Sequence, residues 1–223
     1  MSYALVTTLA EPFYTNIMKI TYRQLLPSVA LLTILMSCQS QIEYIPNIRV
    51  ATSVANSYTA SGTSVALSSL GYAVTPVELN PTEIMVAVGV KEKEKETGRI
   101  KSLGELVFST ASDGQYKSTR IAGGGRYYVG SDPTIKYMPF FSLYSVIDAI
   151  ESDLGDIGSQ LGLSLGGGVE YALSEKAFFD MSFNYLIPLL GAETVINDSF
   201  VGAYDVTTEL DGWSINMGIG TSF

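Results

Sequence analysis

The chain has 223 residues, 47% of them apolar and 16% charged, with a formal charge of −9 and no histidine. An acidic balance without a basic stripe argues against nucleic acid as a partner. The lack of histidine removes Ser-His-Asp hydrolysis and His-based metal sites, so no enzymatic activity, metal or cofactor is expected.

In chain order, Met18, Lys19 and Arg23 precede a mostly apolar stretch from Leu25 to Met36, followed by Ser37 and Cys38. A positive start, a short apolar run and a small residue at the cut describe a secretory signal. The run is shorter than the roughly 20 residues that a transmembrane helix needs. Residues 1–37 are therefore read as a signal peptide, with 1–17 as an over-called start ahead of Met18. Cys38 is the only cysteine and has no disulfide partner within the chain. Residues 38–63, rich in Ser, Thr and Ala, read as a linker. Ile45 to Val50 is partly apolar and leaves room there for a short strand or plug.

From Ser64 onward the dominant signal is a period of two, the mark of strands with one apolar and one polar face. Ser64 to Val74 is taken as the first strand, although its alternation is poor. In the next, Ile84, Val86, Val88 and Val90 lie opposite Met85, Ala87 and Gly89. Lys91 to Glu96 is read as a solvated turn. Ile100, Leu106 and Phe108 then lie opposite Lys101, Glu105 and Ser109. Thr119, Ile121, Tyr127 and Val129 alternate with Arg120, Ala122, Gly124, Arg126 and Tyr128. A turn at Gly130-Ser131-Asp132 leads to the apolar set Ile135, Tyr137, Phe141 and Leu143.

Residues 147–158 read as a long acidic loop with Asp148, Glu151, Asp153 and Asp156, in which Ile147, Ile150 and Leu154 fit one face of a short helix. Leu161, Leu163, Leu165, Val169 and Tyr171 resume the alternation. Ser174-Glu175-Lys176 makes a hairpin to Ala177, Phe179, Met181, Phe183, Tyr185 and Ile187. A second long acidic loop, 188–210, carries Glu193, Asp198, Asp205 and Glu209. The final strand sets Trp213, Ile215, Met217, Ile219, Thr221 and Phe223 against Ser214, Asn216, Gly218, Gly220 and Ser222. The total is eight strands, with short and long connections largely alternating. Both glycine triplets, Gly123 to Gly125 and Gly166 to Gly168, sit inside strand patterns. They read as relief of crowding in a tightly curled sheet rather than as phosphate loops.

The polar face is small and carries a few ions, whereas the other face is bulky and aromatic. Such residues suit a barrel with side chains filling a narrow interior and an apolar face toward lipid. A soluble lipocalin-like barrel would be turned the other way. If the turns pair Val129 with Pro133 and Leu173 with Ala177, Arg126 faces Lys136 and Glu170 faces Asp180. Neither like-charged pair is tolerable alone in a narrow lumen. Together, Arg126, Lys136, Glu170 and Asp180 are expected to form a neutral cluster closing the lumen near the short-turn end. The acidic loops read as solvated, with divalent bridging to lipopolysaccharide phosphates as the other option.

The ending from Trp213 to the terminal Phe223 resembles the last strand of bacterial outer-membrane β-barrel proteins. The pattern from Ser64 to Phe223 resembles the small eight-stranded barrels of the OmpA and OmpX type. Leu35-Met36-Ser37-Cys38 resembles a lipobox, which would make Cys38 a lipid anchor; an ordinary signal with a small buried cysteine is the alternative. Gln39, in place of the Asp that retains lipoproteins at the inner membrane, implies the outer membrane. The resemblance implies an all-β, eight-stranded antiparallel up-and-down transmembrane barrel over 64–223 and a periplasmic linker over 38–63. It also implies that Trp213 and Phe223 belong to a signal read by the barrel-assembly machinery. Contacts with outer-membrane lipid and lipopolysaccharide, a monomeric state, and a structural or surface-interaction role follow from the same likeness. The barrel enzymes of that setting use a histidine, which this chain lacks. A narrow channel and a soluble ligand-binding lipoprotein remain the functional alternatives.

Overall fold

The computed structural model describes residues 41–69, 75–114, 116–130, 135–152, 155–198 and 202–223. Ten strands form one antiparallel sheet: β1 Ile42–Thr63, β2 Val77–Leu79, β3 Thr82–Glu94, β4 Ile100–Asp113, β5 Tyr116–Tyr128, β6 Tyr137–Ser152, β7 Gly155–Ala172, β8 Ala177–Leu190, β9 Ala192–Asp198 and β10 Gly202–Ser222. A single described helix, α1, spans Val65–Ser69. Pairing of β1 with β10, from Asn47 opposite Ser222 to Thr63 opposite Thr207, closes the sheet on itself. The ring is therefore an eight-stranded barrel of β1, β3 to β8 and β10, and closure leaves no edge around it. The short strands β2 and β9 pair with the far ends of β1 and β10, where β3 and β8 have dropped out.

Ile42–Phe223 is one compact unit, distinct from Met1–Gln41. The signal expected over 1–37 and the cysteine at Cys38 lie outside the described residues. The boundary of the barrel does not fall at Ser64. Residues 42–63, expected as a linker, form the 22-residue strand β1. The strand expected at 64–74 is replaced at Val65–Ser69 by α1, and residues 70–74 lie outside the described set. A β-bulge between Ser53 and Ala55 masks β1 in the sequence. One extra residue reverses which positions face inward, so a fixed period of two fails across it.

The two long loops are also mostly strand. β6 and β7 run to Ser152 and Gly155, and β9 with the start of β10 occupies much of 188–210. The helical spacing of Ile147 and Ile150 is overridden: Val146, Asp148 and Ile150 are buried on one face of β6, with Ile147 and Ala149 opposite. The links joining β3 to β4, β5 to β6 and β7 to β8, the longest of them between Tyr128 and Tyr137, share one end of the barrel, the short-turn end, with the start of β1 and with Phe223. The N–H of Phe223 donates to the Pro46 carbonyl at 3.0 Å.

Side chains divide cleanly between the two faces. Inward positions carry Arg49, Glu105, Arg126, Asp148, Glu170 and Asp180, all buried. Outward positions carry Ile84, Val88, Phe141, Leu143, Met181 and Ile219, all exposed, with Phe141 at 66% and Ile219 at 64%. Eight strands leave an interior just wide enough for side chains. Glycine makes part of that room. A Cβ on Gly218 would lie 2.6 Å from Asp180 Oδ1, and one on Gly220 would overlap the Phe178 ring.

Candidate functional site in the barrel lumen

Three groups of ionic contacts cross the lumen. Nearest the short-turn end, Lys91 of β3 pairs with Glu170 of β7, and the Tyr128 hydroxyl donates to the same carboxylate at 2.9 Å. The Lys91 ammonium also sits 3.9 Å from the centre of the Phe178 ring. Both charged residues of this pair are buried.

The second group has two carboxylates and two guanidinium groups. Glu105 is 3.2 Å from Arg49 and 2.9 Å from Arg126, and it accepts the Tyr144 hydroxyl. Asp180 is 3.2 Å from Arg126 and 3.6 Å from Arg49. Each cation touches both anions, so the four charges form a closed square. The Arg126 guanidinium lies 4.3 Å from the Phe140 ring centre. Removing ions from water costs several kcal/mol each. Multiple pairing offsets that cost; among the described residues neither buried oxygen of Asp180 accepts a hydrogen bond, so its share is ionic attraction alone.

The third group lies toward the long-hairpin end. Arg120 bridges Glu83 at 3.1 Å and Asp148 at 2.8 Å. The Tyr58 hydroxyl donates to Glu83 at 3.3 Å, and the Ser118 hydroxyl donates to Asp148. Between this group and the square lies a cavity of about 60 Å³ whose walls include Ser109, Ser142, Ser164, Ser182, Ser214 and Asn216. A water needs roughly 10–15 Å³ of such space, so a few waters fit and a larger solute does not. Above the third group the lumen becomes an apolar core containing Tyr58, Leu79, Ile150, Leu186, Ala192 and Leu210. At the short-turn end a basin of about 460 Å³ lies beneath Lys91 and Glu170, bounded by Phe178 and Phe223 among others.

The residues expected to cluster are only partly brought together. Arg126, Glu170 and Asp180 are buried in the lumen, and Glu170 stands opposite Asp180 in the β7–β8 ladder. Lys136 is exposed and precedes the first residue of β6. The cause is the β5–β6 turn. The Val129 N–H donates to the Pro139 carbonyl rather than pairing at Pro133, which sets Arg126 opposite Ser142. Lys91 takes the place expected for Lys136. Lys91 is not the start of a solvated turn but continues the inward series Met85, Ala87, Gly89. Arg49, in the segment expected as a linker, lies between Ile48 and Val50 in an alternating run of β1 and is buried. Asp148, assigned to a solvated loop, is fully buried.

Trp213 faces outward and stacks on Phe183, with ring centroids 6.3 Å apart. Phe223 is exposed at the short-turn end. Among the described residues no group of three or more Asp, Glu, Cys or His side chains could hold a metal ion. None of their helices is long and apolar enough to cross a membrane.

No protein-family model matches the chain, and no curated protein matches it. Among solved structures, Neisserial surface protein A is similar at 13% identity and a TM-score of 0.47, covering 79% of this chain and 97% of that one. The N-terminal β-barrel domain of Pseudomonas aeruginosa OprF is similar at 14% identity and a TM-score of 0.46, covering 79% and 97%. The outer membrane protein OprG from Pseudomonas aeruginosa gives 14% identity and a TM-score of 0.46, covering 81% and 95%.

Proposed function

We propose that this chain is an outer-membrane barrel with a closed lumen, acting as a structural or surface-interaction protein rather than as a conduit. The observation that carries this reading is the filling of the lumen. Three ionic groups and an apolar core succeed one another along it, and the cavity among them holds only a few waters. A soluble barrel for an apolar ligand would line its interior with the bulky side chains that this protein turns outward.

The membrane assignment is supported by the outer face. Contiguous exposed apolar side chains on every side of a barrel are costly in water and favourable in acyl chains. Trp213, Tyr127 and Tyr137 lie among these outward residues, as interfacial aromatics do. A spanning strand needs roughly 9–11 residues. β1 has 22 and β10 has 21, so their hairpins would project well past the bilayer. Glu151, Glu193, Asp205 and Glu209 are exposed there and would meet the surroundings of the cell. In this reading lipid and lipopolysaccharide are the immediate partners, and the barrel-assembly machinery reads the strand ending at Phe223. Residues 1–37 would be the export signal, and Cys38 would carry the lipid.

Two experiments test the proposal together. Protein extracted from membranes should migrate anomalously on a gel until boiled, as folded outer-membrane barrels do. Purified protein in planar bilayers should show no steady conductance. Unchanged mobility on boiling would reject the membrane barrel, and stable open currents would favour the channel alternative.

A further inference from the structure

Two breaches interrupt the described wall: one beside β1, between Thr52 and Tyr58, is bridged by Ser53 and Asn56, and the other, beside β10, is closed by a single side chain. β10 pairs with β8 up to Gly212 opposite Leu186, and with β9 from Thr208 opposite Ala192. Between those points Leu210 has no strand partner on that side. Pro188 lies in the interrupted stretch and has no N–H to offer. β8 stays with β7 as far as Leu190 opposite Leu161, and Leu189 and Leu190 are exposed. Gln160 of β7 reaches across in their stead. Its Nε2 donates to the Leu210 carbonyl at 2.9 Å, and the Leu210 N–H donates to its Oε1 at 2.8 Å. The carboxamide therefore imitates the pair of backbone bonds that a neighbouring strand would supply.

Beyond this point β2, the end of β1, the start of β10 and β9 form a sheet that no ladder joins to β7 among the described residues. Its inner face contributes Leu79, Tyr58, Leu210 and Ala192 to the apolar core, where Ala192 is fully buried against residues that include Ile150. β9 meets β7 through close packing, with Gly158 set against the Glu193 carbonyl. At the foot of the sheet stands Gly212, where a Cβ would overlap the backbone of Ser57 and Tyr58. One side of this lobe is continuous with the barrel through β1 and β10. The other side meets β7 without a ladder among the described residues, and the Gln160–Leu210 pair and an apolar fit bridge it there.

We propose that Gln160 is the latch on a seam between β7 and the β9–β10 lobe, and that this seam is where the long-hairpin end of the lumen opens. Backbone amides protected by a neighbouring strand exchange only when larger units open, whereas a side-chain latch lets a local unit open by itself. Opening would uncover the apolar core above Arg120 and leave the ionic groups below it in place. The latch itself consists of two ordinary hydrogen bonds. Their loss should raise the open population by about tenfold or more.

Two measurements test the latch on the full chain in detergent micelles. In a Cys38→Ser background, Gln160→Ala should raise the maleimide reaction rate of Ala192→Cys about tenfold and leave that of Ala51→Cys unchanged. A rate at Ala192→Cys that is unaltered, or that rises equally at Ala51→Cys, overturns the proposal. The second measurement needs no change to the latch. In a Cys38→Ser background, Ala192→Cys should react with a maleimide measurably faster than Ala51→Cys, which is buried inside the closed ring. Equal protection of the two cysteines also overturns it.

Discussion

Lys91 and Glu170 meet across the full width of the barrel. They come from β3 and β7, which stand four positions apart in a ring of eight strands and therefore on opposite walls. No local pairing rule brings them together; only closure of the ring does. Their contact ties opposite walls, while Arg49, Arg126, Glu105 and Asp180 tie β1, β4, β5 and β8 just beyond it.

Glu170→Ala leaves the buried Lys91 ammonium and the Tyr128 hydroxyl without their acceptor. Breaking a buried pair by removing one partner costs about 3–5 kcal/mol, mostly the penalty of the orphaned charge. Urea unfolding in lipid vesicles should show a loss of that order. Glu209→Ala, an exposed control, should change stability by less than about 0.5 kcal/mol. Equal effects of the two variants would mean that Lys91 and Glu170 sit in lumen water.

Lys136→Ala is expected to behave like the exposed control, since the side chain lies outside the lumen. Lys91→Ala should cost several times more, on the order of 3 kcal/mol. A reversed ranking would place the β5–β6 turn in the shorter register and return Lys136 to the interior.

The square of charges should show strong coupling. In a double-mutant cycle of Arg126→Ala and Glu105→Ala, the interaction energy should reach about 1–3 kcal/mol, the range for residues that share one network. Additive losses, within about 0.5 kcal/mol, would mean the two side chains do not act on each other.

Gly218→Val should destabilise the barrel by about 1–3 kcal/mol, because the added atoms displace the Asp180 carboxylate from its guanidinium partners. The same unfolding assay measures it. If Gly218→Val costs nothing further in an Asp180→Ala background, the carboxylate is the obstructed group, whereas an undiminished loss in that background would point to the backbone of β1.

Legibility in the sequence followed the regularity of the strands. Trp213 to Ser222 alternates without interruption, and Ala177 to Ile187 does so apart from Phe178 and Leu186 on the inner face; both form strands with the faces expected of them. The inside-outside assignment was readable for the same reason: bulk and polarity separate by parity. β1 was hidden because the bulge near Val54 shifts its phase and because Thr, Ser and Asn occupy both faces of its far half. Lys136 was misplaced because loop length is not written in residue identity, and six positions of turn separate the expected register from the observed one, Pro133 against Pro139. Asp148 was misread because an acidic residue near other acids suggests solvent, whereas a guanidinium from the neighbouring strand makes burial tolerable. Partners that meet across the ring, such as Lys91 and Glu170, cannot be paired by neighbour patterns at all.

The outward direction of the apolar face is the premise on which the functional reading depends, and the chain carries one probe for it: Trp213 is its only tryptophan. Fluorescence of the folded protein should be recorded in vesicles containing lipids brominated on their acyl chains, and separately with acrylamide in the water. Strong quenching by the brominated chains with weak quenching by acrylamide is the predicted result. Emission that ignores the brominated lipid and responds to acrylamide would contradict a barrel whose wall faces the bilayer.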